Sequence, residues 1–129
     1  MSHENRFMCP NDLLKLNRRW ARALRTRLPG LSKLLNVDTR AIETLVQEVA
    51  MLSQKEVPEH SSLDEIEKLD KLVQINRKRA TAFSGRGHLD NKWSELIRLN
   101  VSSIESLRFD VAALFASLKA PELLKRRSS

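Results

Sequence analysis

The chain has no tyrosine, one cysteine, three glycines and four prolines, and each scarcity excludes something. With Cys9 alone, no intramolecular disulfide forms, a pattern suited to a reducing cytosol. Cys9 and three scattered histidines (His3, His60, His88) lack the ligand spacing of a zinc site, so neither metal nor cofactor is expected. Few glycines and prolines leave little raw material for a turn-rich β fold. No apolar run approaches the roughly 20 residues needed to cross a bilayer, and the opening MSHENRFMCP lacks the apolar stretch of a secretory signal. The expectation is a soluble cytoplasmic protein without membrane contact.

Catalytic signatures are missing as well. There is no nucleophile elbow, no phosphate-binding loop and no HExxH motif. Paired carboxylates such as Asp64 and Glu67 fall on a solvated face, without the apolar burial that raises a pKa for acid–base work. Within SGRGH (84–88) the GxG is too short for a phosphate cradle and reads as a turn. The chain is expected not to be an enzyme.

What is present is helix-forming: Leu, Ala, Glu, Lys, Arg and Gln recur, and long β-branched runs are absent. The 129 residues, 41% apolar and 30% charged, predict one all-α domain over 1–129, a bundle of four to five helices. The net charge of +7 is concentrated at the ends. Residues 1–30 carry seven cations against two anions, and 119–129 carry four against one. Such a footprint suits nucleic acid, an anionic surface or an acidic partner protein.

After a lead-in over 1–10, Asp12–Leu28 is the segment in which charge and periodicity agree. At about 100° per residue, Leu13, Leu16, Trp20, Leu24 and Leu28 share one arc. Lys15, Arg18, Arg19, Arg22 and Arg25 share the opposite arc, and Arg27 falls on the apolar side. Asn11 or Asp12 is the expected N-cap, and Pro29-Gly30 the expected stop.

Two readings compete from Leu31. A break at Asn36-Val37-Asp38 separates a short helix from a second one that begins at Thr39. Alternatively one helix runs from Leu31 to Gln54, which places Asp38 on the apolar stripe and turns Val37 outward. The break accommodates both residues better. In that form LSKLLNVDTRAIETLV (31–46) resembles a helix-turn-helix DNA-binding motif, with Ser32, Leu35, Asn36, Val37, Ile42 and Leu45 at its spacings and Asn36 where a glycine is usual. The resemblance implies that Thr39, Arg40, Glu43, Thr44 and Gln47 face the major groove as base-reading residues. Glu43 sits awkwardly there, since phosphates repel a carboxylate that is not reading cytosine.

Residues 11–56 thus hold the basic helix and the candidate motif, and a polar linker spans 54–62. Two long helices fill 62–118, the first opened by a Ser62/Glu65 capping box and ending in Arg77-Lys78-Arg79, a placement the helix dipole favours. In the last helix, Leu89–Leu118, Ile97, Ile104, Val111 and Leu118 alternate with Trp93, Asn100, Leu107 and Leu114 at 3-4 spacing. This heptad-like seam serves either self-association through 93–118, with Asn100 as a polar d residue, or bundle core, because Leu96, Val101 and Phe115 widen the stripe. Pro121 is expected to end the helix before a basic tail, 119–129.

The function these features favour is non-catalytic binding to the phosphate backbone of DNA or RNA. The backbone-contacting residues are Lys15, Arg18, Arg19, Arg22 and Arg25, with Lys125, Arg126 and Arg127 of the tail. Arginine on a rigid helix engages phosphate bidentately at low ordering cost. Such a protein is a small DNA-binding regulator or a subunit of a nucleoprotein complex; in being short, all-α and basic it is similar to the small helical subunits of CRISPR effector complexes. The competing reading is a helical adaptor or anti-activator that docks on an acidic or apolar protein surface.

Overall fold

A computed structural model describes the chain over residues 8–56 and 66–128, with side chains for 8–56 and 67–118. The described residues form four helices: α1 (Pro10–Ala23), α2 (Pro29–Ser53), α3 (Ile66–Phe83) and α4 (His88–Ser128). No described helix is long and apolar enough to cross a membrane.

Cross-helix contacts fix the directions. Ser32 Oγ donates to the carbonyl of Ala21 at 2.5 Å, so α1 and α2 form an antiparallel hairpin. Ser94 Oγ donates to the carbonyl of Ala80 at 2.9 Å, and Arg108 reaches Asp70 at 2.7 Å, so α3 and α4 form another. The hairpins pack through α2 against α4, with α1 and α3 on the flanks. Leu31, Leu35, Ile42 and Leu45 of α2 and Ile97, Ile104 and Val111 of α4 are essentially inaccessible and make the centre of the core.

Several boundaries differ from expectation. Cys9, not Asn11 or Asp12, is the N-cap of α1, and Pro10 takes the first helical position, where its fixed φ and missing N–H cost nothing. The helix ends at Ala23, and Leu24–Arg27 form a turn before Pro29 opens α2. Arg25 and Arg27 therefore belong to the connection, not to a comb along α1, and both are exposed. Pro121 lies inside helical backbone that runs to Ser128. It forfeits one backbone hydrogen bond, and the Ala, Leu, Lys and Arg around it favour helix strongly enough to continue.

The largest correction concerns residues 31–54. Helix α2 is continuous from Pro29 to Ser53, with no turn at Asn36-Val37-Asp38, so the helix-turn-helix geometry is not there and the bundle has no fifth helix among the described residues. Val37 accepts 48% exposure and Asp38 is fully buried. The unbroken helix keeps Leu34, Leu35 and Ile42 in place, and Asp38 finds a partner: Asn76 Nδ2 donates to its Oδ1 at 2.7 Å.

The heptad stripe of α4 is likewise resolved within the chain. Trp93, Ile97, Asn100, Ile104, Leu107 and Val111 are all buried in the bundle's own core. Asn100 Nδ2 donates to Asn17 Oδ1 at 3.0 Å, and Asn17 Nδ2 returns a bond to Asn100 Oδ1 at 2.6 Å. The polar d residue pairs with α1 instead of its own copy. Of the two roles read for the seam, bundle core is the one its residues from Trp93 to Val111 fill within the chain. The Ser62/Glu65 capping box, and most of the linker, lie outside the described residues.

Candidate polyanion-binding pole

The up-down topology brings both tight turns, 24–28 and 84–87, to one end of the bundle. Three contacts show it. An added Cβ on Gly30 would stand 3.3 Å from Nη2 of Arg79, joining the start of α2 to the end of α3. Trp20 and Trp93 meet edge to face with ring centroids 4.8 Å apart, joining the end of α1 to the start of α4. Lys92 Nζ lies 5.0 Å from the centroid of Trp20. Gly85 at φ +81° and Gly87 at φ +145° make the second turn, conformations that side chains resist, and Asn91 Oδ1 accepts from the Gly85 N–H.

These turns are where the cations collect. Arg22, Arg25, Arg27 and Lys33 come from the first hairpin, and Lys78, Arg79, Arg86 and Lys92 from the second; all eight are exposed. The carboxylates near that end are Asp90 and Glu95. Asp12, Glu56, Glu67, Asp70 and Asp110 belong to the other half of the bundle, by their positions on the antiparallel helices. The molecule is polarised along its axis.

The sequence carried a signal for this pole that helix-by-helix reading misses. No Asp or Glu occurs between Asp12 and Asp38, a window with seven cations, or between Asp70 and Asp90, a window with five. Each window straddles a hairpin tip. The central region nearly balances overall, but its acid-free, cation-bearing stretches lie at the hairpin tips, and folding brings both tips to one end.

The expected backbone-contacting residues fare unevenly. Lys15, Arg18, Arg19, Arg22 and Arg25 are all exposed. Arg18 is tied to Glu43 of α2 by an ion pair, and Arg19 leans over Trp20 at 5.8 Å. An exposed pair of this kind contributes under about 1 kcal/mol, so a phosphate competes for Arg18 without unfolding anything. Arg77 is bridged to Glu105 at 2.8 Å, which gives the 77–79 cluster a partly structural role. The side chains of Lys125, Arg126 and Arg127 lie outside the described residues.

The expected base-reading set is not a reading surface. Thr39 is buried, its hydroxyl donating to the carbonyl of Leu35 at 2.8 Å. Glu43 is occupied by Arg18. Arg40, Thr44 and Gln47 remain exposed on the outer side of α2, and Arg40 extends the positive surface. Among the described residues no cluster of His, Cys, Asp and Glu could hold a metal ion.

Between α1 and α4, beside the pole, lies a cleft of about 320 Å³. Its floor is Leu16, Trp20, Trp93 and Leu99, and Arg19 and Lys92 stand at its edge with Glu95. Comparison with protein families, with curated proteins and with solved structures gives no match.

Proposed function

We propose that this protein binds the phosphate backbone of a nucleic acid, without catalysis, through the basic pole formed by its two hairpin tips. The observation that carries the reading is the convergence of cations from all four helices on one rigid end, most of them without a carboxylate partner among the contacts described above. Fixed cations on a packed scaffold meet phosphates with little ordering cost and read no sequence. The role this suits is holding a strand within a larger nucleoprotein assembly. A sequence-reading DNA regulator is a poorer fit, because the segment that would supply its recognition helix is part of one unbroken helix, with Thr39 buried and Glu43 paired to Arg18. An adaptor docking through an apolar stripe is also a poorer fit: the exposed large apolar residues Val37, Ile75, Leu89 and Phe109 are spread over three helices.

If Arg22, Arg25, Lys33, Arg86 and Lys92 each neutralise one phosphate, log K against log salt has a slope of about −3.5 to −4.5. Changing Arg22, Arg25, Lys33 and Arg86 to Glu leaves the fold intact, because all four point outward, and removes most of that slope with the affinity. Lys55→Glu with Lys71→Glu, two reversals at the other end, is the control and leaves both largely unchanged. Filter retention across a salt series reads the result; undiminished retention by the fourfold variant would refute the pole as the site.

A further inference from the structure

We propose that the cleft between α1 and α4 receives an unpaired nucleobase stacked on Trp20, so that the strand this protein holds is single-stranded. The inference rests on the backbone-binding reading above and adds the class of ligand. Trp20 is half-buried and meets Trp93 edge to face, and two cations flank it in a cleft that Glu95 also lines. Arg19 and Lys92 lie 5.8 and 5.0 Å from its ring centroid, one from each wall of the cleft. Both are flexible side chains that move onto a flanking phosphate while the base takes their place over the indole.

Size and continuity point the same way. About 320 Å³ lies at the lower limit of clefts that take small ligands, roughly 300–1,000 Å³, which is room for a nucleoside and not for a helix. The apolar floor rewards a flat π-face, and a base is flat, apolar on its faces and attached to an anion on either side. Lys92 belongs both to the cleft and to the pole, so a backbone tracking the pole arrives at the opening with its charge already matched. A duplex offers no free base face to such a site, whereas stacking on an aromatic side chain with cationic neighbours is how strands are held irrespective of sequence.

The test uses the full chain and three probes: oligothymidylate of about 12 nucleotides, oligouridylate of the same length, and a blunt duplex of equal charge. With Trp20 and Trp93 the only tryptophans, titration by either single strand is expected to quench the indole emission, and the duplex to leave it unchanged. The single strands bind more tightly at matched salt. Trp20→Leu keeps an apolar side chain against the core and loses about tenfold or more of single-strand affinity, with duplex affinity unaltered. A preference of the uridylate over the thymidylate, or the reverse, reflects the sugar and the 5-methyl group together and supports the site equally. Equal binding of duplex and single strand with no quench overturns the inference and leaves the basic pole standing. Failure of all three probes to bind at low salt overturns the pole and the cleft together. A dimer that forms through the cleft, with emission changing with protein concentration alone, also overturns it. Should Trp20→Leu not fold, the wild-type comparison of strands and quench decides.

Discussion

Asp38→Asn is expected to make the protein more stable at pH 8 and to flatten the pH dependence of its unfolding. The reason lies in two buried oxygens left without a hydrogen-bond donor. Asn76 Nδ2 gives one N–H to Asp38 Oδ1 and the other to the carbonyl of Leu72, four residues back. Asn100 does the same with Asn17 Oδ1 and the carbonyl of Leu96. Only in the second pair is the bond returned, by Asn17 Nδ2. In the first, Asp38 Oδ2 and Asn76 Oδ1 are both buried without a partner, because a carboxylate has no hydrogen to give. A protonated Asp38 has the hydrogen that this pair lacks. Burial pushes this carboxyl from its ordinary value of 3.8 up to about 7, against the downward pull of the Asn76 hydrogen bond. Between those two values the unfolded chain has released the proton and the native state still holds it. Stability is therefore complete below about pH 4 and is lost as pH rises towards and through 7. At about 1.4 kcal/mol per unit the loss amounts to roughly 3–5 kcal/mol. Asparagine at 38 supplies the missing N–H permanently. Urea midpoints at pH 5 and pH 8 check this: the wild type falls between them, and the variant holds level and exceeds it at pH 8. A variant that follows the wild type at both would show that Asp38 does not carry the proton.

The same residue shows why one part of the fold was legible and another was not. The apolar arc of Leu13, Leu16 and Trp20, the stripe from Trp93 to Val111 and the turn at 84–87 are local patterns that the structure uses, although the helix read as far as Leu28 stops at Ala23. Asp38 on an apolar stripe looked like evidence for a break because periodicity assigns every carboxylate to water. Its acceptance depends on Asn76, a residue 38 positions away, which no local rule connects to it. Asn100 posed the same problem: a polar residue in a seam has one meaning if its partner is another copy and a different one if it is Asn17. The candidate site divides likewise. The cations of α1 could be placed on an outer arc, but their convergence with Arg79, Arg86 and Lys92 follows from the up-down order of four helices. It was visible in the sequence only as two windows without acids.

That order of helices sets up the last and most discriminating result. Replacing Asn100 by Leu is expected to cost about 2–4 kcal/mol, since Asn17 is left buried with its amide unpaired. Asn17→Leu costs a similar amount for the mirror reason. The double variant recovers most of the loss, because removing both polar groups removes the desolvation penalty that each single change exposes. A coupling of this sign, read from denaturant midpoints, is expected of a matched internal pair, and additive losses would contradict it. Asn100→Leu should also sediment as the wild type does, since position 100 faces α1 and not a second chain. Beyond energy, the amide pair is expected to set register. Leucines tolerate sliding of α1 along α4, whereas reciprocal amide bonds hold one offset, the one that sets Trp20 beside Trp93 and Lys92. The double variant is therefore expected to be nearly as stable as the wild type yet weaker on the single strand, with the indole quench reduced. Full strand affinity in a stable double variant would mean that packing alone aligns the hairpins, and that the buried amides serve the fold without serving the site.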